Sequence, residues 1–280
     1  MTFSIVARAG TAHGVAVASK FLAVGAVVPA AEAQVGAVAT QSYANLAYRP
    51  QGLALLRTGV DAAGVVAALT AADPQRATRQ VGVVAAAGDG ATFTGEQCHA
   101  WAGGEAGDGW AIQGNILTGP EVVHAMRDSW RHSVPQASLA RRLTGALQAG
   151  DRAGGDRRGR QSAAVLVVDR GQGYAGTGDV VVDLRVDDHP DPVTELARLL
   201  DVHALLFDKP VPETLHALTG ELAAEVRRLL ADAGYPAGDS SADALDAALA
   251  RWAGVENLEE RLVTGKIDPL VLAHLRRRHG

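Results

Sequence analysis

The strand-forming segments of this sequence come in adjacent pairs, and that spacing constrains the fold more than any other feature. Thr2 to Arg8 (TFSIVAR) alternates and is rich in strand formers; after a turn from Ala9, Gly10 and Thr11 to Gly14 comes Val15 to Ser19 (VAVAS). Arg79 to Ala87 and Ala91 to Gly95 flank Gly88-Asp89-Gly90, the strongest local turn signal in the chain. Ala163 to Val168 and Val180 to Val186 are joined by a Gly-rich turn. Tight turns join antiparallel strands, whereas parallel neighbours need long crossovers. Clustered hairpins therefore argue against a doubly wound parallel sheet.

Other segments fill in the layers. Val24 to Val28 is a short third segment stopped by Pro29, Gln34 to Gln41 (QVGAVATQ) is a strand of mostly small residues, and Trp110 to Asn115 is strand-like. Arg49 to Arg57, Asp61 to Ala72, Glu121 to Arg131 and Ser138 to Gln148 carry helical spacing; Asp61 is a good N-cap and Asp73-Pro74 a good stop. Apolar residues make up 48% of the chain and aromatics only 4%, so the core must be built from Val, Ala and Leu. Such strands suit two sheets packed closely face to face, with helices on both outer faces.

After Asp187-Asp188-His189-Pro190-Asp191-Pro192 the pattern becomes helical throughout: Glu195 to Asp208, Glu213 to Ala233 ended by Gly234, Ala242 to Ala253, Leu258 to Leu262 and Pro269 to Arg278. Pro210 and Pro212 mark a linker, which places an α+β domain over residues 1–209 and a small all-α module over 210–280.

Bulk charge excludes some partners. A net charge of -5 gives no basic surface for nucleic acid, and Arg276 to Arg278 close the final helix, where the dipole favours cations. The apolar run from Leu22 to Ala39 is interrupted by Pro29, Glu32 and Gln34 and is too broken to span a membrane. No secretory signal is visible, so a cytoplasmic location is expected.

No metal and no cofactor are expected. Cys98-His99 is adjacent rather than at ligand spacing, the nine histidines form no HxH or HExxH pattern, and Asp187 to His189 with Asp191 read as a solvated linker. His13, in the first turn, is expected to be exposed. No Walker loop occurs, and Gly107-Asp108-Gly109 precedes a strand rather than a helix.

Several strings, in order, carry a family likeness: MTFSIVAR, GVAVASKFLAVGAVVP, VGAVATQSYAN, QGNILTG with Gly114 and Asn115, and GGDRRGRQSAAVLVVD with Asp156 and Ser162. Over roughly residues 1–190 the chain resembles the domain-of-unknown-function family 1028. That family is grouped with N-terminal-nucleophile hydrolases, so the resemblance implies a four-layer αββα sandwich. The tail, through Val226 to Tyr235, Trp252, Asn257-Leu258 and Ile267-Asp268-Pro269, is similar to a small peptidoglycan-binding-like module.

What the resemblance implies is a reaction. Hydrolases of that group use the side chain of the first mature residue as nucleophile and its own α-amine, which titrates near ~8, as base. Thr2 fits once Met1 is removed, for an amide or related acyl bond in a small-molecule substrate. Ser4 shares its strand face. Asn115 and the backbone around Gly114 are candidates for oxyanion donors, with Gln41 and Asn45 as further binding candidates. Proteasome-like relatives carry an acid at the end of the second strand and a lysine on the next. Here Ser19-Lys20 follows Val15 to Ala18, and no lysine lies between Phe21 and Thr40. Lys20 is left as the local positive charge. Asp156 could orient Ser162 or the amine, or cap its own turn beside Arg157 or Arg158. The competing reading is a non-catalytic binding or scaffold protein whose tail contacts a peptidoglycan fragment or, as the favoured role for the tail, a second copy in a homo-oligomer.

Overall fold

A computed structural model describes residues 2–279; Met1 and Gly280 lie outside the described residues. The chain divides into two compact units, one ending at Leu200 and the other beginning at Asp201. In the first unit the order is β1 (Thr2–Ala9), β2 (Ala12–Ser19), α1 (Val24–Val27), β3 (Pro29–Glu32), β4 (Gly36–Gln41), α2 (Tyr48–Arg57), α3 (Ala62–Ala71), β5 (Gln80–Ala85) and β6 (Ala91–Thr94). It continues with β7 (Gly103–Gly107), β8 (Trp110–Asn115), α4 (Glu121–Arg131), α5 (Leu139–Arg152), β9 (Ser162–Val168), β10 (Val180–Val186) and α6 (Pro192–Phe207). The unit division falls within α6.

The strands form a six-stranded sheet in the order β10-β9-β2-β1-β8-β7 and a four-stranded sheet in the order β3-β4-β5-β6, with every pairing antiparallel. Strand alternation divides their residues among three apolar clusters. Phe3, Ile5, Ala16, Ile112 and Val165 pack with Met126 and Trp130 of α4 and Leu143 and Leu147 of α5. The opposite face of that sheet, with Val6, Val15, Val17, Ala111 and Ala164, meets Ala37, Ala39 and Val84 of the second sheet. The second sheet turns Val38, Val81 and Val83 toward Leu53 and Leu56 of α2 and Val65 and Leu69 of α3.

Local chemistry explains the helix starts. The Asp61 side chain accepts from the Gly64 amide at 2.7 Å, capping α3 as its sequence position predicts. Ser138 does the same for α5 from the Arg141 amide at 3.4 Å.

Three details depart from the sequence reading. The segment at Val24 forms a helical turn, and the strand begins at Pro29, a first strand position at a sheet edge where a missing N–H costs no ladder bond. The glycine-rich β7, whose sequence carries no apolar alternation, is an edge strand paired to β8. His13 is buried at 1% exposure, because it lies within β2 on the same face as Val15 and Val17, opposite Arg8 and Val168.

The second unit contains β11 (His216–Ala217), α7 (Gly220–Asp232), α8 (Ala242–Glu256), β12 (Lys266–Ile267) and α9 (Pro269–His279). The expected helix from Glu213 starts at Gly220 instead, since Pro212–Thr214 makes a 3-10 turn and His216–Ala217 pairs with Lys266–Ile267. Leu229, Leu230, Leu249, Trp252, Leu258 and Leu275 form its core. A buried ion pair ties the end of α6 to the start of α9: Arg261 Nη1 donates to Asp268 Oδ2 at 2.8 Å and its Nε to the Leu205 carbonyl at 2.7 Å, while Asp268 Oδ1 accepts from the Leu270 amide. No helix among the described residues is long and apolar enough to cross a membrane.

Removing one partner of a buried pair leaves the other charge unpaired. Arg261→Ala is expected to destabilise the second unit by about 3–5 kcal/mol, read by urea unfolding of the full chain; an unchanged midpoint would contradict a structural role for the pair. His13 gives a pH dependence. Burial first, and then the Arg8 charge, hold its imidazole below the ordinary 6.5. The unfolded chain therefore takes up that proton before the folded one does. Stability from this site is complete above about pH 6.5 and is lost as pH falls from there through the lower folded value. His13→Leu is expected to flatten the fall in Tm between pH 7 and 5, whereas parallel curves would assign that fall to other groups.

Candidate functional site

The layer between the sheets is apolar along most of its length and polar at one end. Antiparallel pairing places Thr2 opposite Asn115 and Ser19 opposite Ser162, with Phe3 opposite Ala18 bringing Thr2 beside Ser19. Opposed residues share a face, so Asn115, Thr2, Ser19 and Ser162 form a row across β8, β1, β2 and β9. Ser4 and Gln113 lie opposite each other one step further in. From the second sheet, Gln41 and Gln80 face this row, themselves paired across β4 and β5. All eight side chains are buried.

Their hydrogen bonds run as a directed chain. Gln113 Nε2 donates to Ser4 Oγ at 2.6 Å, and Ser4 Oγ donates to Gln41 Oε1 at 2.7 Å. Gln41 Nε2 donates to Gln80 Oε1 at 2.8 Å and to the Thr2 carbonyl at 3.2 Å. Gln80 Oε1 also accepts from Asn115 Nδ2 at 2.9 Å, while Gln80 Nε2 donates to the Gly114 carbonyl at 2.7 Å and to Thr94 Oγ1 at 2.8 Å. Every bond fixes which end of each amide is oxygen, since reversing one carboxamide sets donor against donor. Thr2 Oγ1 and Ser19 Oγ lie 3.1 Å apart. Gln113 Oε1 is buried without a partner among the described residues, lying over Gly82, where a Cβ would stand 2.1 Å from it.

Residues 2–196 match the model of a family of unknown function, DUF1028. The chain belongs to that family. A crystal structure of a DUF1028 protein from Silicibacter pomeroyi is similar to it at 29% identity and a TM-score of 0.65, covering 81% of this chain and 94% of that one. A second model, described as "Putative peptidoglycan binding domain", matches residues 206–275. No curated protein matches the chain.

In this DUF1028 chain the candidates drawn from the sequence fall into three groups. Thr2, Ser4, Gln41, Gly114 and Asn115 meet in the amide chain. Lys20, Asp156 and Ser162 instead hold the segment after Ser19. Asp156 Oδ2 accepts from the Lys20 amide at 2.7 Å and its Oδ1 from the Arg158 amide at 2.8 Å, with the Arg158 guanidinium 3.4 Å away. Lys20 Nζ donates to the Arg160 carbonyl at 3.2 Å. Ser162 Oγ donates to the Phe21 carbonyl and accepts from the Val24 amide at 3.1 Å. A cleft lined by Ala18, Ser19, Asp151, Asp156 and Arg160 borders this group.

Asn45 belongs to a third group, around Asp73. Its Nδ2 donates to Asp73 Oδ2 at 3.1 Å, as do Tyr48 Oη at 3.0 Å and Arg79 Nε at 2.9 Å. Burial works against the charged Asp73 carboxyl, but hydrogen bonds from Arg79, Asn45, the Gln75 amide and Tyr48 outweigh it and hold the group well below the usual carboxylate range. Burial and then Asp73 push the Tyr48 phenol up. Arg79 also donates to the Tyr43 carbonyl, and Tyr43 Oη lies 3.1 Å from His99 Nε2.

Sequence reasoning missed Ser19, Gln80, Gln113 and Gly82. Period-two parity is the signal that reaches the polar three: Ser19 continues Val15 and Val17, Gln113 lies between Ala111 and Asn115, and Gln80 precedes Gly82 and Val84. The network predicts a steric test. Gly82→Ala pushes a methyl into the Gln113 carboxamide and is expected to cost about 1–3 kcal/mol in denaturant unfolding; an unchanged midpoint would mean that the amide has room to move.

Proposed function

We propose that the first unit is an N-terminal-nucleophile hydrolase with the four-layer αββα architecture, acting on an amide or related acyl bond through Thr2 after loss of Met1. Met1 lies outside the described residues. The observation that carries the reading is the polar end of the intersheet layer. Burying hydroxyls and carboxamides costs free energy that Val and Ala at the same positions would not incur, and here the expense falls around the first residue of β1. The sequence of layers supports the architecture: helices against one sheet, sheet against sheet, and helices against the other.

The chemistry follows from the arrangement. A free α-amine, with an ordinary pKa near ~8, takes the proton from Thr2 Oγ1 as that oxygen attacks the acyl carbon. The carbonyl oxygen becomes an oxyanion. Asn115 Nδ2 carries two hydrogens, one engaged by Gln80 Oε1, and the second serves as an oxyanion donor with backbone amides near Gly114. Collapse expels the protonated leaving amine and leaves a threonyl ester, which water cleaves with the α-amine again as base. Lys20, Asp156 and Ser162 act on this reading by holding the segment after Ser19, not by transferring protons.

Removal of Met1 ahead of Thr is expected in the native host, giving an intact mass that begins at Thr2. A hydroxyl-directed β-lactone is expected to acylate Thr2 and to leave a folded Thr2→Ala variant unmodified. A mature chain that keeps Met1, or equal labelling of Thr2→Ala, would end the nucleophile reading.

One observation favours the binding or scaffold alternative: among the described residues, neither a lysine ammonium nor a carboxylate bonds the Thr2 hydroxyl, whose partner is Ser19. On that reading the second unit makes the contact that matters, with a peptidoglycan fragment or a second copy. Cosedimentation of the full chain with purified sacculi would favour the first contact, and a dimer mass by light scattering the second.

A further inference from the structure

We propose that Gln41 and Ser19 are the positioning residues that set the orientation of the Thr2 amine and hydroxyl. This rests on the reading of Thr2 as nucleophile and specifies how the site holds it.

The argument starts from the freedom of a first residue. Once Met1 is gone, no preceding peptide constrains φ at Thr2. The amine is then placed by rotation about Cα–C relative to the carbonyl, and the hydroxyl by χ1. A β-branched residue restricts χ1 but does not settle it. The structure supplies one anchor for each rotation. Gln41 Nε2, reaching from the facing sheet, holds the Thr2 carbonyl at 3.2 Å, and Ser19 Oγ, on the neighbouring strand, holds Thr2 Oγ1 at 3.1 Å.

The Gln41 anchor is itself fixed. Its oxygen accepts a hydrogen bond from Ser4 Oγ, and Ser4 is held in turn by Gln113, so Gln41 cannot turn its amide over without reversing two further bonds. On the other side its nitrogen also donates to Gln80 Oε1, which shares that oxygen with Asn115 Nδ2. One side chain therefore ties the nucleophile's main chain to the proposed oxyanion donor. Misplacement of reacting groups by about 1 Å costs on the order of 10²-fold in rate, which gives such an anchor its function.

Two readouts on full-length chain beginning at Thr2 test this. The α-amine is titrated by competitive labelling with acetic anhydride between pH 6 and 10, read on the N-terminal peptide by mass spectrometry; this needs no turnover. Acylation of the Thr2 hydroxyl by the β-lactone is timed by intact mass. Ser19→Ala and Gln41→Leu are expected to change the midpoint of the amine titration and to slow hydroxyl acylation by about 10- to 100-fold. Ser19→Thr, which keeps the hydroxyl, is expected to recover most of the rate. Thr70→Ala in α3, remote from the site, controls for general loosening and is expected to move neither readout. Should Gln41→Leu fail to fold, Ser19→Ala and Ser19→Thr carry the test. An amine titration identical in wild type and variants overturns the positioning roles. Failure of the wild-type hydroxyl to be acylated, with the variants still shifting the amine, overturns the nucleophile reading and leaves the positioning of Thr2 standing.

Discussion

The thinness of the layer between the two sheets is the constraint on which the rest of the first unit depends. Ala37, Ala39, Ala111 and Ala164, with Val6, Val15, Val17 and Val84, fill it with short side chains. Short side chains bring the sheets close, and close sheets let a carboxamide rooted in one reach the backbone of the other. Gln41 touches the Thr2 carbonyl and Gln80 the Gly114 carbonyl across that gap. Longer aliphatic residues in the same layer would hold the sheets apart and break both contacts.

Closeness also explains why the polar end is so fully bonded. A buried amide left without a partner costs about 1–3 kcal/mol, and a carboxamide has four hydrogen-bonding capacities to satisfy. Gln80 meets this by accepting from Gln41 and Asn115 and donating to Gly114 and Thr94. Gln113 Oε1, over Gly82, is the exception among the carboxamides of this network. A network in which each member fixes the next has one low-energy orientation, so it holds its outermost groups more firmly than isolated contacts would.

The loops at the same end are secured by different chemistry. Asp156 and Ser162 bind the amides and carbonyl of residues 20–24, and Asp73 gathers Asn45, Tyr48 and Arg79. These bonds fix loops that cross the ends of the strands, where no ladder constrains the backbone. The second unit applies a similar device in its own core, with Arg261 and Asp268 joining a carbonyl near the end of α6 to the start of α9.

By itself the sequence determined the antiparallel hairpins, most helix spans and the switch to a mainly helical tail, because turns, caps and periodicity act over a few neighbouring residues. It also offered the strings that align with the family, and with them Thr2, Asn115 and Gln41. It could not place Lys20, Asp156 and Ser162 around the segment after Ser19, nor Asn45 beside Asp73. It gave no sign that His13 would be enclosed or that the glycines of β7 form a strand. Only the tertiary structure decided that Ser4, Gln41, Gln80, Gln113 and Asn115 form one chain, since its links join residues 35 to 109 positions apart. Which inward-facing polar groups meet depends on how two sheets are registered against each other, and no local pattern along either strand encodes that register.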